Sequence, residues 1–237
     1  MLSNRLAILN ESGTLAMAAK SRELKAAGVD VINLSIGEPD FDTPLHIKEA
    51  AKKAIDDNYS HYTPIPGLVE LRQAIANKLK TENKLVYSQD QIVVSTGAKH
   101  SIANVLFCLL NPGDEVIIPA PYWVSYIEMV KLAEGTPVVV QSSIENDFVM
   151  SPQELEAAIT PKTKAILYSS PSNPTGSLYS REDLAAYASI LQKHPNIIVI
   201  SDEIYEHINY EGSHESIAQF ESIRDRVVIV NGVSKGY

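Results

Sequence analysis

Asn196-Ile197-Ile198-Val199-Ile200-Ser201-Asp202-Glu203-Ile204-Tyr205 is the stretch that decides the fold. Its core, Ile197 to Ile200, is an unbroken β-branched run, which suits a strand buried on both faces of a parallel sheet. The run stops at Ser201-Asp202-Glu203, so a carboxylate falls at the carboxyl end of a buried strand. In open α/β sheets that edge is where ligands bind. A charge there is costly to desolvate unless a cation meets it. A second run, Val227 to Val230, leads through Asn231-Gly232-Val233-Ser234 to Lys235, which puts a lysine at the end of a neighbouring strand. An acid and a lysine at adjacent strand ends mark a candidate site.

Upstream, strands alternate with helices. Extended runs are expected at Val31–Ser35, Gln91–Ser95, Glu115–Ile118, Pro137–Gln141 and Lys164–Tyr168. Helices are expected over Leu15–Ala27, over Leu45–Asn58 with Ile47, Ala50, Ala51, Ala54 and Ile55 on one face, and after Gly67 with Leu68, Leu71, Ile75 and Leu79 on one stripe. Ser151-Pro152-Gln153-Glu154 has the grammar of a helix start, and Ser180-Arg181-Glu182-Asp183 caps a helix running to His194. This rhythm means an α/β fold with a mostly parallel sheet flanked by helices.

The loops between these elements hold the chemistry. Thr96-Gly97-Ala98-Lys99 joins a strand run to the apolar helix that continues to Leu110, and unpaired N–H groups at such a helix start attract an anion. Many α/β turns of this form bind nothing. Trp123, the only tryptophan, sits at another helix start, as a core residue or as a platform for a planar ring. Asn173, held extended by Pro174, has its amide free to reach outward. Gly37 allows close approach to the backbone or simply makes a turn, and Tyr59 to Gly67 is a Pro/Gly loop containing Tyr62.

Composition narrows the function. The 237 residues are 45% hydrophobic with a net charge of −9 and no block of like charge, which argues against nucleic acid or an anionic membrane as partner. No apolar run approaches the ~20 residues of a membrane span, and the N-terminus lacks the apolar core of a signal peptide. A cytoplasmic protein is expected. The single cysteine, Cys108, lies in an apolar run and is expected in the core. The six histidines lack ligand spacing on any one helix face, so no metal site is expected. Neither a Rossmann glycine fingerprint nor a P-loop is present.

Gly97–Lys99, Trp123, Asn173, Asp202, Tyr205 and Lys235 jointly ask for a ligand with a phosphate, a flat ring, a basic ring nitrogen and an electrophilic carbonyl. Pyridoxal 5'-phosphate meets all four demands. At this point the chain resembles the class I/II aminotransferases of the aspartate aminotransferase superfamily. The matching stretches are Ser-Ile-Gly-Glu-Pro-Asp-Phe (35–41), Tyr-Thr-Pro-Ile-Pro-Gly (62–67), Ser-Thr-Gly-Ala-Lys (95–99), Pro-Gly-Asp-Glu-Val (112–116) and Pro-Tyr-Trp-Val-Ser-Tyr (121–126). Ser-Pro-Ser-Asn-Pro-Thr-Gly (170–176), Ser-Asp-Glu-Ile-Tyr (201–205) and Ser-Lys-Gly-Tyr (234–237) complete the set.

The resemblance implies a type I pyridoxal-phosphate fold, with residues 1–45 contributing to a small domain and dimer arm and 46–237 forming the cofactor-binding large domain. It implies that Lys235 forms the aldimine with pyridoxal phosphate, that Asp202 pairs with the ring nitrogen, and that Tyr205 and Asn173 hold the ring hydroxyl oxygen. Trp123 would stack on the ring. Gly97, Ala98, Lys99 and Ser234 would lie at the phosphate, Tyr62 would reach the phosphate of a partner subunit in a homodimer, and Gly37 would meet the substrate carboxylate together with Trp123 and Asn173. The expected reaction moves an amino group from aspartate or another amino acid to a 2-oxo acid such as 2-oxoglutarate. A β-lyase on the same cofactor and an inactive fragment of the fold are the alternatives.

Two departures carry expectations of their own. The chain ends two residues after Lys235, where the resemblance implies a C-terminal small-domain part and two anion-binding arginines, so residues 1–237 alone are expected to be poorly soluble or to aggregate and to transfer little. Gly232 stands where many relatives have a phosphate-binding serine. The resemblance also associates prephenate use with a basic residue near the N-terminus. Asn10 occupies the matching position, which favours aspartate.

Overall fold

The computed structural model describes residues 3–237. The elements run α1 (Asn4–Ala7), α2 (Gly13–Ala26), α3 (Leu45–Asp56), α4 (Val69–Thr81), α5 (Ala98–Leu109), β1 (Glu115–Ala120), α6 (Ser125–Leu132), β2 (Thr136–Gln141), α7 (Pro152–Ala158), β3 (Thr163–Ser169), α8 (Arg181–Gln192), β4 (Ile198–Asp202) and β5 (Val227–Val230). The strands form one five-stranded sheet in the order β2-β1-β3-β4-β5, every pair parallel.

Alternate residues of each strand serve opposite faces. Ile117, Ile166, Tyr168 and Val199 pack with Leu155, Leu184, Tyr187 and Leu191 of α7 and α8. Val116, Ile118, Leu167 and Ile200 pack on the other side with Ile102 and Leu106 of α5 and Met129 and Val130 of α6. Both faces are covered, so the strands read as continuous apolar runs. With both faces sealed, the polar ends of β3, β4 and β5 are left to one edge of the sheet.

The caps form as their spacing predicts. The Ser151 hydroxyl accepts from Glu154 N, and the Glu154 carboxylate accepts from Ser151 N at 2.7 Å; Ser180 and Asp183 repeat the arrangement on α8, which ends at Gln192 and not at His194. Helix α2 starts two residues before Leu15 because the Ser12 hydroxyl caps it.

Several expectations fail for non-local reasons. Neither Val31–Ser35 nor Gln91–Ser95 is a strand: in the second, Ile92 has extended backbone, but Val94 N donates to the Pro66 carbonyl and no neighbouring strand among the described residues takes the ladder bonds. Helix α3 has the expected single apolar face, yet none of its residues is buried. On α4 the buried stripe is Arg72, Ala76 and Leu79, while Leu71 is exposed. Arg72 tolerates burial because its guanidinium donates to the carbonyls of Gly67 (3.2 Å) and Gln89 (2.9 Å). Cys108 is exposed, on the face of α5 turned away from the sheet. Residues 121–124, Trp123 included, are not helical; α6 starts at Ser125.

Candidate functional site at the carboxyl edge of the sheet

Register places the site. Asp202, the last residue of β4, lies between Ser169 of β3 and Val230 of β5. It is only 3% exposed. The Tyr126 hydroxyl donates to its Oδ2 at 2.6 Å and the Ile204 N–H to its Oδ1 at 3.2 Å. Burial pushes its pKa up to about 6, the two donors oppose that rise, and the neighbouring Glu203 charge adds to it.

Tyr205 stands in the turn that follows β4, half-buried, and the Asn173 amide donates to its hydroxyl at 3.3 Å. Burial raises the Tyr205 pKa, the Asn173 hydrogen bond lowers it, and the Asp202 charge raises it. The loop after β3 therefore supplies Asn173 and the loop after β4 supplies Tyr205, so strand pairing brings together two groups 32 positions apart.

Lys235 follows β5 in a turn, and its Nζ donates to the Gly37 carbonyl at 3.0 Å. The fold thus joins these two sequence candidates directly. The Asn231 amide anchors the start of the lysine loop to Glu206 at 2.6 Å, and Glu206 is in turn paired with Lys78 of α4. A Cβ on Gly232 would sit 3.2 Å from Ile204 Cδ1, so the glycine suits a tight passage there.

Gly97 caps the start of helix α5 at φ 84°, ψ 164°, a conformation open to glycine. As first residues of the helix, Ala98 and Lys99 have N–H groups with no carbonyl one turn earlier to bond. The Lys99 ammonium lies 4.8 Å from the centroid of the Trp123 ring. Trp123 meets Tyr126 edge-on, with centroids 5.5 Å apart and planes at 88°. Ser234 is exposed in the lysine turn, and Tyr62 is fully exposed with no hydrogen-bond partner among the described residues. Asn10 points elsewhere: its N–H and side-chain amide donate to Glu128 of α6 at 2.9 and 3.1 Å.

Sequence reasoning gave Tyr126 no role, although it closes the Pro-Tyr-Trp-Val-Ser-Tyr stretch three residues after Trp123. The available signal was the need of a buried aspartate for a donor. Also missed was a buried network behind Asp202. Glu203 Oε1 accepts from the hydroxyls of Ser201 (3.0 Å) and Ser216 (2.7 Å), and its Oε2 meets His214 Nε2 at 2.9 Å. Glu203, Glu206 and His214 approach with metal-ligand spacing that no sequence interval reveals, but the Lys78 ammonium already supplies the cation at Glu206.

The donor set fits pyridoxal phosphate. A buried carboxylate suits a ring nitrogen, the free N–H groups at the start of α5 suit a phosphate, the Asn173–Tyr205 pair suits a phenolic oxygen, and Lys235 supplies an amine for the aldehyde. No metal is needed for any of these contacts.

Comparison with known proteins agrees in family and fold. Residues 29–237 match the family described as Aminotransferase class I and II. The aspartate/prephenate aminotransferase of Cereibacter sphaeroides is 51% identical over 238 residues, which are 100% of this chain and 60% of that protein. The aspartate aminotransferase of Bacillus subtilis is 50% identical with the same coverage. The crystal structure of aspartate aminotransferase from Thermus thermophilus with maleate superposes with a TM-score of 0.96 at 43% identity, covering 100% of this chain and 61% of that one. The chain therefore spans about 60% of the length of the relatives it matches.

Proposed function

Since the chain belongs to the class I and II aminotransferases, we propose that it moves an amino group from an amino acid, with aspartate as the favoured donor, to a 2-oxo acid such as 2-oxoglutarate, using pyridoxal phosphate. The observation that carries this reading is the buried Asp202 at the end of β4, beside the Asn173–Tyr205 pair and one strand away from the Lys235 loop. The relatives' names favour transfer over β-elimination, and they divide between aspartate alone and aspartate with prephenate. The dicarboxylate maleate in the Thermus protein supports an acidic substrate.

When bound, pyridoxal phosphate supplies an electron-withdrawing ring that makes an amino acid's Cα–H acidic. The residues of this chain do the rest. Asp202 keeps a ring N–H in place as its acceptor. Tyr205 and Asn173 orient the oxygen beside the reacting carbon. Gly97, Ala98 and Lys99 bind phosphate with backbone N–H groups, Ser234 lies beside them, and the Trp123 face excludes water from one side. Lys235 Nζ would hold the cofactor through its amine, and the same amine would move the proton from Cα as general base. Gly37 meets the substrate carboxylate. Tyr62 acts from a partner subunit in a cytoplasmic homodimer, and residues 1–45 form part of a smaller domain apart from the 46–237 cofactor domain.

The test is chemical trapping. The chain incubated with pyridoxal phosphate and reduced with borohydride should carry the label on Lys235, located by peptide mass. Label spread over surface lysines such as Lys99 and Lys131 would overturn the assignment. Amino transfer from aspartate and from prephenate's amino product, with 2-oxoglutarate as acceptor, then fixes the donor.

A further inference from the structure

We propose that Tyr126 is a positioning residue for Asp202: its hydroxyl fixes one carboxylate oxygen and so holds Asp202 in place as an acceptor. The role in catalysis rests on the function proposed above; the hydrogen bond itself does not.

The geometry is a two-point hold. Tyr126 O–H reaches Oδ2 at 2.6 Å and Ile204 N–H reaches Oδ1 at 3.2 Å, so neither oxygen can rotate without losing a bond. Tyr126 is 2% exposed and Asp202 3%, and water does not compete for either. The charged and titratable groups facing Asp202 are the Glu203 carboxylate beside it on the chain, the Tyr205 hydroxyl from the following turn and Tyr126 from α6. None of these is a cation. The aspartate's charge therefore depends on neutral donors, and Tyr126 gives the shorter bond of the two.

The chemical consequence is one of polarity. A protonated heteroaromatic nitrogen is a donor and needs an ionised carboxylate. A carboxylic acid at Asp202 would present its own hydrogen and could not hold that proton. Tyr126 also fixes the ring platform, because its ring stands edge-on to Trp123 at 88°. Removal of the hydroxyl alone leaves that packing in place, so Tyr126→Phe isolates the hydrogen bond.

The experiment needs no cofactor. With the aspartates labelled at the carboxyl carbon, the Asp202 resonance is followed against pH in the unmodified chain and in Tyr126→Phe, with Asp202→Asn to assign it. Loss of the charge-assisted bond should tighten proton binding about tenfold, moving the midpoint upward by about one pH unit. In a second chain, 3-fluorotyrosine at position 126 makes the phenol a stronger donor, and the midpoint should move downward. This chain also decides the matter if Tyr126→Phe does not fold. An unchanged midpoint in either folded chain overturns the proposal. A separate arm with pyridoxal phosphate added reads the absorption of the bound cofactor against pH, and Tyr126→Phe should shift that profile as well. Midpoints that move as expected while no cofactor binds would leave the positioning role intact and sink the proposed function instead.

Discussion

Asp202 is pushed up to about 6 from an ordinary 3.8 by burial, and this has a direction in pH that can be measured. Below the ordinary aspartate range the group is protonated in folded and unfolded chains alike. Between about 4 and 6 the unfolded chain gives up its proton first, so stability from this residue falls as pH rises and levels off above the folded value. Asp202→Asn cannot ionise. Its stability relative to the unmodified cofactor-free chain should therefore improve by roughly 2.4 kcal/mol from pH 4 to pH 7, read by urea unfolding at several pH values. A difference that does not change with pH would show that Asp202 titrates like a surface aspartate. In the proposed reaction the same substitution should lower turnover by about a thousandfold, ~4 kcal/mol, while cofactor still binds. A residue costly to the empty fold and necessary to the reaction is what a functional site predicts.

At the scale of elements, the caps give a clean prediction. Ser151→Ala removes the hydroxyl that accepts from Glu154 N and should cost about 1 kcal/mol, seen as a lower midpoint in thermal or urea unfolding. Gly97→Ala should be harmful for another reason: φ 84° strains any other residue, so the start of α5 must shift and anion binding should weaken. These caps were legible in the sequence because a cap is a local pattern of four residues. The five strands of the sheet were legible too, since burial on both faces leaves runs such as Val227–Val230, but Val31–Ser35 reads alike and is no strand. Pairing was not. Whether 91–95 becomes a strand depends on a neighbour, and whether the apolar face of α3 is covered depends on what packs there. The site divides along the same line. The candidates Asp202, Asn173, Tyr205 and Lys235 stand out in the sequence by their place at strand ends, but the Tyr126 bond to Asp202 spans 76 positions, and the Gly37 bond to Lys235 spans 198.

For the whole molecule, exposed apolar side chains gather in the first 65 residues: Ile32 at 86%, Leu34 at 92% and Ile65 at 100% stand open, with Leu15, Met17 and Phe41 also exposed. Isolated monomers rarely leave that much apolar surface uncovered. Sedimentation of the chain should show concentration-dependent association, and Leu34→Glu with Ile65→Glu should weaken it without lowering the unfolding midpoint. A strictly monomeric chain would contradict the homodimer proposed here. The Gly37–Lys235 hydrogen bond adds a matter of timing. At synthesis rates of about 5–20 residues per second, on the order of ten to forty seconds separate the emergence of these two partners. Throughout that interval the acceptor waits and the amine does not yet exist, so a nascent chain cannot capture an aldehyde at this site.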